Sequence, residues 1–201
     1  MKKKVLVFGG SGFLGSHAAD KLSEAGYQTT VFDLFKSPWL RSDQKMIIGD
    51  IVDYDSVLNA VKDADIVYNF AALADLNKAL NRPKDTAKIN IIGNINVLEA
   101  CKNFNVERFI YASTVYVHSN EGGFYRCSKQ ASENYVEEYN RSYGLNYTIL
   151  RYGSLYGPRA DVSNGLSKII KNAIMTGKLS YHGHPDSMRE YIHVQDAADA
   201  S

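Results

Sequence analysis

Short apolar runs alternate with longer amphipathic segments along most of the chain. Six runs have the length and the β-branched and aromatic content of buried strands, at residues 4–8, 28–32, 45–48, 66–70, 108–112 and 147–151. Four segments carry apolar residues at steps of three and four, which predicts helices over 16–25, 54–62, 85–103 and 125–143. The alternation predicts an α/β fold, with a doubly wound parallel sheet of Rossmann type and helices on both faces.

Composition narrows the class of protein. The chain has 201 residues, 45% hydrophobic content and a net charge of +1, which predicts one globular core and no nucleic-acid or membrane partner. The basic start at residues 1–4 is followed by a glycine-broken run without a cleavage site, so a cytoplasmic protein is expected. Neither Cys101 nor Cys127 has a partner at metal-ligand spacing, and both are expected to be reduced, with no metal bound.

A glycine-rich turn follows the first apolar run and precedes the first helical segment. In such a strand, turn and helix, Gly9 permits the bend, Gly12 lets the backbone approach a pyrophosphate, and Gly15 lets the helix lie close to the strand. Phe13 and Leu14 lie within the same turn and are included among the predicted cofactor-binding residues. A single glycine turn of this kind also arises by chance, so its context carries the prediction.

Acidic residues follow the second and third predicted strands. A carboxylate at Asp33 can accept hydrogen bonds from both hydroxyls of an adenosine ribose and would repel a phosphate there, which favours NAD over NADP. Asp50, with Ile51 beside it, is placed to face the adenine. Ala71 and Ala72 are small enough to let a cofactor pass over the fourth strand. The alternative for each aspartate is an ordinary turn residue.

A tyrosine and a lysine four residues apart provide candidate acid/base chemistry. Tyr125 and Lys129 share one face of a helix, and an ammonium near the phenol is expected to lower its pKa from about 10. Ser113 and Thr114 end the fifth strand and offer a hydroxyl that could hold a substrate oxygen. Such pairs are often only surface packing, but the position after the fifth strand favours a catalytic pair.

Taken together, the sequence resembles the extended short-chain dehydrogenase/reductase family, and within it the NAD-dependent nucleotide-sugar epimerases and dehydratases of the UDP-glucose 4-epimerase type. The resemblance covers essentially the whole chain. It rests on the glycine turn, Asp33, residues 49–51, Ala71 and Ala72, Asn90 ahead of 97–100, and the segments 125–129, 150–159 and 189–194.

The resemblance implies roles for particular residues. Thr114 aligns with the family's catalytic serine or threonine, with Ser113 as the alternative one position earlier. Ala71 and Asn90 would line the cofactor path, and Arg189 would contact the diphosphate of the substrate. The remaining implied cofactor contacts, beyond the turn and Ala72, come from Asp33, Asp50, Ile51, Tyr125, Lys129 and Tyr152.

The implied activity is NAD-dependent epimerisation of a nucleotide sugar by transient hydride transfer and return to the opposite face of a keto-sugar. Dehydratases and decarboxylases carry an acidic residue after the catalytic threonine, whereas Val115 and Tyr116 follow here, so epimerisation is preferred. The alternatives are a simple dehydrogenase or reductase of the same family and a non-catalytic NAD-binding sensor or scaffold. A homodimer through the helices at 85–103 and 125–143 is expected.

Several features depart from the family pattern. The loop from Thr114 to Tyr125 is short, His118 replaces a tyrosine, and Ser154 replaces an asparagine. Residues 1–157 are expected to form the NAD-binding domain, and 158–201 the start of a small, incomplete substrate-binding part, because the chain ends in an apparent helix without a stop signal. The histidines at 118, 182, 184 and 193 are expected to be loop or packing residues.

Overall fold

A computed structural model describes residues 2–161, 163–181, 186 and 188–201 of the chain. The eight strands that it assigns among these residues are β1 Lys4–Phe8, β2 Gln28–Asp33, β3 Lys45–Ile48, β4 Ile66–Asn69, β5 Arg108–Thr114, β6 Tyr147–Tyr152, β7 Ser154–Tyr156 and β8 Tyr191–His193. The α-helices are α1 Phe13–Glu24, α2 Tyr54–Val61, α3 Leu76–Asn81, α4 Pro83–Ala87, α5 Gly93–Asn103, α6 Gly123–Tyr143, α7 Gly165–Thr176 and α8 Val194–Asp199.

Six of the strands form one parallel sheet in the order β3-β2-β1-β4-β5-β6. The chain therefore winds outward in one direction from β1 to β3 and in the other from β4 to β6. The carboxyl ends of β1 and β4 flank the point where the winding reverses, which is where ligands bind in open sheets of this kind. The predicted doubly wound parallel sheet of Rossmann type is confirmed.

The sheet is apolar on both faces because successive residues of a strand point to opposite sides. Phe8, Phe32 and Phe109 pack on one face, in a cluster that includes residues of α2, α5 and α6. Val7 and Val31 pack on the other face, in a cluster that includes residues of α1. Burial of such a side chain contributes about 1.5–3 kcal/mol, so the two clusters fix the strand ends where the predicted site residues lie.

Several helices differ from the prediction. The first helix begins at Phe13, so the second half of the glycine turn is already helical. The single helix predicted over 85–103 is instead α4 and α5 joined by a π-helical turn, Lys88–Ile92, which holds Asn90. Such a turn widens the hydrogen-bonded ring and is not visible in apolar periodicity. The short helix α3 was not predicted.

The segment after residue 157 returns to the nucleotide-binding half of the chain. β7 and β8 pair in a second, two-stranded sheet, and α8 packs along α1 with Val194, Ala197 and Ala198 buried. The helix α7 has no buried residue, and Ile174 and Met175 on it are about four-fifths exposed, at 79% and 80%. The proposed boundary at residue 157 stays a prediction.

The described residues also bear on membrane and metal binding. Among them, no helix combines the length and the apolar character that spanning a membrane requires. The same part of the chain brings no three His, Cys, Asp or Glu side chains together in a way that could hold a metal ion. Cys101 is buried and Cys127 is exposed, and both are free thiols. Burial raises the pKa of the Cys101 thiol, which makes it unreactive.

Candidate functional site

The glycine turn connects β1 to α1 at the point where the winding reverses. Gly9 has a φ of 74°, and a Cβ added there would lie 2.6 Å from the backbone nitrogen of Ala71. A Cβ added at Gly15 would lie 2.3 Å from the carbonyl oxygen of Gly9. Gly12 is the N-cap of α1 and has no capping side chain. The first-turn amides, including those of Phe13 and Leu14, are thus free to bind an anion such as a pyrophosphate.

Asp33 holds the turn to the end of β2. Its Oδ2 accepts a hydrogen bond of 2.9 Å from the backbone nitrogen of Ser11, and its Oδ1 accepts one of 3.4 Å from that of Phe35. An ionised carboxylate has about four acceptor positions, so two remain for ribose hydroxyls. The half-buried position of Asp33 fits the adenosine contact expected from the sequence.

Asp50 and Ile51 occupy different environments after β3. Asp50 is exposed, and its Oδ1 accepts a hydrogen bond of 2.9 Å from the backbone nitrogen of Val52. Ile51 is only 7% exposed and packs in the core, where its side chain would contact any Cβ added at Gly93. Because the side chain of Ile51 is turned inward, a cofactor would contact this residue through its backbone.

The end of β4 is fixed by two buried amides. Asn69 accepts a hydrogen bond of 3.1 Å from the backbone nitrogen of Ala71 and donates one of 2.9 Å to Asn94 on α5. Ala71 and Ala72 are half-buried beside the glycine turn. The roles of Asn69 and Asn94 were missed in the sequence, although a polar residue ending a buried strand is a usable signal.

Asn90, in the π-helical turn, connects the loop after β4 to helix α6. Its side chain accepts a hydrogen bond of 2.7 Å from the backbone nitrogen of Leu73 and donates bonds of 3.2 Å to Leu73 and 2.9 Å to Ser128. Its carbonyl oxygen accepts a bond of 2.8 Å from Ser132. Since the amide is satisfied within the protein and only 2% exposed, Asn90 places the residues that line the crevice.

Replacing Asn90 by alanine should destabilise the fold and loosen the loop after β4. The substitution leaves partly buried backbone groups of Leu73 without their Asn90 partners, and the free energy of unfolding should fall by about 2–3 kcal/mol in urea titrations. The control is Asn103→Ala, because the Asn103 amide makes an exposed hydrogen bond of 3.0 Å to the Tyr54 hydroxyl. Equal losses in both variants would contradict the linking role of Asn90.

Helix α6 carries Tyr125 and Lys129 against the carboxyl end of β5. It begins after Gly122, whose φ of 88° turns the chain into the helix. Lys129 is 2% exposed, and its Nζ donates a hydrogen bond of 2.6 Å to the carbonyl oxygen of Ala112. The same nitrogen lies 4.6 Å from the centre of the Tyr111 ring and 5.8 Å from that of Tyr125. The ammonium thus lies over the faces of two aromatic rings.

The pKa values of the pair differ from the expectation. Burial, with a smaller effect from the Tyr116 phenol, raises the pKa of Tyr125 to about 12. Burial lowers the pKa of Lys129 to about 7, against an opposing effect of Glu133. The expected lowering of the Tyr125 pKa in the folded protein was therefore wrong. Loss of water around the phenol outweighs the ammonium, which is bonded to the carbonyl of Ala112.

The two candidate hydroxyls end β5. Thr114 is buried, and its Oγ1 accepts a hydrogen bond of 3.3 Å from the backbone nitrogen of Tyr116, which caps the 3-10 helix Val115–His118. Ser113 is buried as well. Because adjacent residues of a strand face opposite sides of the sheet, the Ser113 and Thr114 side chains point in opposite directions. Thr114 remains the candidate from sequence, with Ser113 as its alternative.

Tyr152 and Arg189 each contact a residue at or just after the end of β5. Tyr152, on β6, pairs in register with Thr114 of β5, and its hydroxyl is 2.7 Å from Oγ of Ser201. Burial raises the pKa of Tyr152 to about 12. Because the hydroxyl already pairs with Ser201, a cofactor would contact the ring or the backbone of Tyr152. Arg189 is exposed, and its guanidinium donates a hydrogen bond of 3.2 Å to the Tyr116 hydroxyl. Arg189 therefore lies at the mouth of the site.

A link between the loop after β7 and α1 was missed in the sequence. Arg159 donates a hydrogen bond of 2.7 Å to Asp20 and lies 5.0 Å from the centre of the Trp39 ring. His17 is buried on α1, with Nε2 3.0 Å from the carbonyl oxygen of Pro158. Burial lowers the pKa of His17, so it stays neutral at pH 7. Residue spacing gives no signal for these long-range contacts.

The histidines that the sequence assigned to loops or packing lie outside the crevice or outside the described residues. His118 ends the exposed 3-10 helix after β5. His193 caps α8, with Nδ1 accepting a hydrogen bond of 3.4 Å from the backbone nitrogen of Gln195. His182 and His184 lie outside the described residues.

Comparison with known proteins gives one consistent family. A sequence model described as the NAD-dependent epimerase/dehydratase family matches residues 5–201. A putative UDP-glucose 4-epimerase of Methanocaldococcus jannaschii is 29% identical over 223 residues, a match that covers 98% of this chain and 72% of the archaeal protein.

Solved structures agree with this match. A UDP-glucose 4-epimerase of Thermotoga maritima with UDP-glucose superposes with a TM-score of 0.91 at 30% identity, covering 98% of this chain and 71% of that one. A UDP-glucose 4-epimerase of Thermus thermophilus in complex with NAD superposes with a TM-score of 0.87 at 30% identity, covering 98% of this chain and 72% of that one. The chain thus spans about seven-tenths of these proteins.

Proposed function

This chain belongs to the NAD-dependent epimerase/dehydratase family, and we propose that it epimerises a nucleotide sugar using a tightly held NAD. The observation that carries the proposal is a juxtaposition at one edge of the sheet. The glycine turn follows the carboxyl end of β1, and Lys129 of α6 bonds to Ala112 near the carboxyl end of β5, with β4 paired between these two strands. Solved relatives with UDP-glucose and with NAD support both ligands.

The residues around the crevice fit a dinucleotide. A Cβ at Gly9 or Gly15 would lie within 3 Å of backbone atoms of the protein itself, so these glycines let the turn pack against the end of β4 and let α1 begin close to the turn. Asp33 retains acceptor positions for the hydroxyls of an adenosine ribose and disfavours a phosphate there. Lys129 would bind the second ribose. NAD, when bound, would supply the acceptor and later the donor of the sugar hydride.

The protein's own residues would move the proton. Tyr125, as phenolate, would accept the proton of the sugar hydroxyl and later return it. Its raised pKa means that the phenolate needs positive charge beyond that of Lys129, which an oxidised nicotinamide ring would supply. Thr114 would hold the sugar oxygen through its hydroxyl, and Arg189 would bind the diphosphate from the mouth of the site.

Epimerisation is preferred to dehydration because of the residues after Thr114. Val115 and Tyr116 occupy the positions where an acid would move a carbon-bound proton, and neither side chain can do so as a carboxylate. Tyr116 instead accepts the hydrogen bond from Arg189. The proposed reaction therefore requires one acid/base group, Tyr125, and one proton to transfer.

Incubation with a panel of UDP- and dTDP-sugars tests the proposed reaction. We expect one pair of sugars differing at a single carbon to interconvert, without net formation of NADH, as resolved by chromatography and absorbance. Stoichiometric NADH would identify a dehydrogenase instead. NAD bound without turnover of any sugar would identify a sensor or scaffold.

We also propose a homodimer through α5 and α6, as the family resemblance implies. Ile92, at the start of α5, and Phe124 and Tyr135, on α6, are large apolar side chains that are 44–49% exposed. A second copy packed on these helices would bury them. Sedimentation equilibrium should give twice the chain mass, and a monomer across the micromolar range would contradict the dimer.

A further inference from the structure

A buried carboxylate lies one helical turn beyond Lys129 and belongs to neither the predicted acid/base pair nor the cofactor contacts. Glu133 is 6% exposed on α6. Both of its oxygens are bonded to Arg151 of β6, Oε1 at 3.0 Å from Nε and Oε2 at 2.7 Å from Nη2. Burial raises the pKa of Glu133, but the bonds and the charge of Arg151 outweigh it, so the pKa lies below its usual value. Glu133 is therefore a stable buried anion.

Lys129 is the group on which this anion acts. It is 2% exposed, and the cost of removing water from its ammonium, partly opposed by Glu133, brings its pKa to about 7. Without the opposing effect of Glu133 the pKa would be lower still. Three groups favour the charged form of Lys129. The carbonyl of Ala112 accepts its hydrogen bond, the ring of Tyr111 lies beneath its ammonium, and the charge of Glu133 attracts it from one helical turn away.

We propose that Glu133 is a positioning residue that favours the ammonium form of Lys129, with Arg151 holding the Glu133 carboxylate ionised and directed inward. Residues four apart on a helix are neighbours, and both residues are buried, so the anion lies one helical turn from Lys129 on the same face of α6. Arg151 is 40% exposed and its charge is partly screened by water, whereas the carboxylate is enclosed. The negative charge is thus the stronger of the two as felt by Lys129.

The other charged and titratable groups around these residues are few. Lys129 faces the phenols of Tyr111 and Tyr125, both of which burial keeps neutral by raising the pKa. On the other side of the pair, His118 acts on Glu133, and Glu137 acts on Arg151 from the exposed face of α6. Among these charged and titratable groups, Glu133 is the one that favours the charged form of Lys129.

Titration of Lys129 tests the inference directly. The role of the Lys129 charge in catalysis rests on the proposed function, but the pKa of Lys129 can be measured without any turnover. In protein labelled with ¹³C at lysine Cε, the Lys129 signal would be assigned by its loss in Lys129→Arg. We expect Glu133→Gln, which keeps the size and part of the bonding to Arg151, to lower the Lys129 pKa by about one unit.

Two further variants separate charge from structure. Glu137→Gln removes a carboxylate from the same helix two turns from Lys129, and the Lys129 pKa should not change. The double variant Glu133→Gln with Arg151→Gln should fold even if Glu133→Gln alone does not, because the double variant leaves no unpaired charge at this position. It should lower the Lys129 pKa in the same direction but by less.

An unchanged Lys129 pKa in the variants at 133 that fold would overturn the inference and leave Glu133 as a structural link between α6 and β6. Full turnover by Tyr125→Phe would instead overturn the proposed function and leave the titration result standing. The two failures are therefore distinguishable.

Discussion

The Tyr125→Phe variant should bind NAD as the wild type does and lose nearly all epimerase activity. The substitution removes one hydroxyl from a half-buried ring at the start of α6, so the fold and the glycine turn should be left intact. General acid/base catalysis contributes about 100- to 10,000-fold, and we expect kcat to fall within that range. Initial rates with the interconverting sugar pair, together with NAD binding by calorimetry, measure both quantities.

The matched control is Tyr139→Phe, which removes another phenol of the same helix. Tyr139 is buried on α6, and its hydroxyl bonds to Glu99 on α5 rather than facing the crevice. We expect a modest loss of stability and wild-type kcat. Retention of turnover by the Tyr125 variant, or equal losses of kcat in both, would contradict the assignment of Tyr125 as the acid/base group.

Gly15→Ala should abolish tight NAD binding and destabilise the protein. The new Cβ would lie 2.3 Å from the Gly9 carbonyl oxygen, so α1 must move away from the turn or the turn must distort. Overpacking of this kind costs about 1–3 kcal/mol of unfolding free energy. Loss of one or two amide bonds to a charged pyrophosphate should raise the Kd for NAD by about 10- to 100-fold or more.

Gly165→Ala provides the control for this substitution. A Cβ at Gly165 has no atom within 4 Å, and the residue begins α7, far from the glycine turn. Alanine is favoured over glycine in helices by about 0.5–1 kcal/mol, so stability should be unchanged or slightly higher and the Kd for NAD unchanged. Similar NAD affinities in the two alanine variants would contradict the close-approach role of Gly15.

The six strands of the main sheet and its doubly wound parallel form were accessible from sequence because buried parallel strands are short, apolar and separated by amphipathic helices. The glycine turn was accessible for a related reason. The need for glycine at positions 9, 12 and 15 arises from close contacts within or beside the turn itself. Both features depend on residues within one strand, turn and helix unit, and local patterns encode them.

The contacts that complete the site were not accessible in this way. Asn90 is held by Leu73 and Ser128, and Arg151 meets Glu133 across two elements. The direction of the Lys129 ammonium, toward Ala112, depends on how deeply α6 packs on β5. Tertiary packing sets these contacts, and with them the pKa values that the sequence assigned in the wrong direction for Tyr125.

The most direct test follows the hydrogen on the carbon that inverts. A nucleotide sugar deuterated at that carbon would be incubated with the protein and an excess of unlabelled NADH in solution, and the product examined by mass spectrometry and NMR. The account predicts that the epimer retains the deuterium at the inverted carbon, because the hydride is returned within one crevice. Loss of the label to water or to the free NADH pool would contradict it.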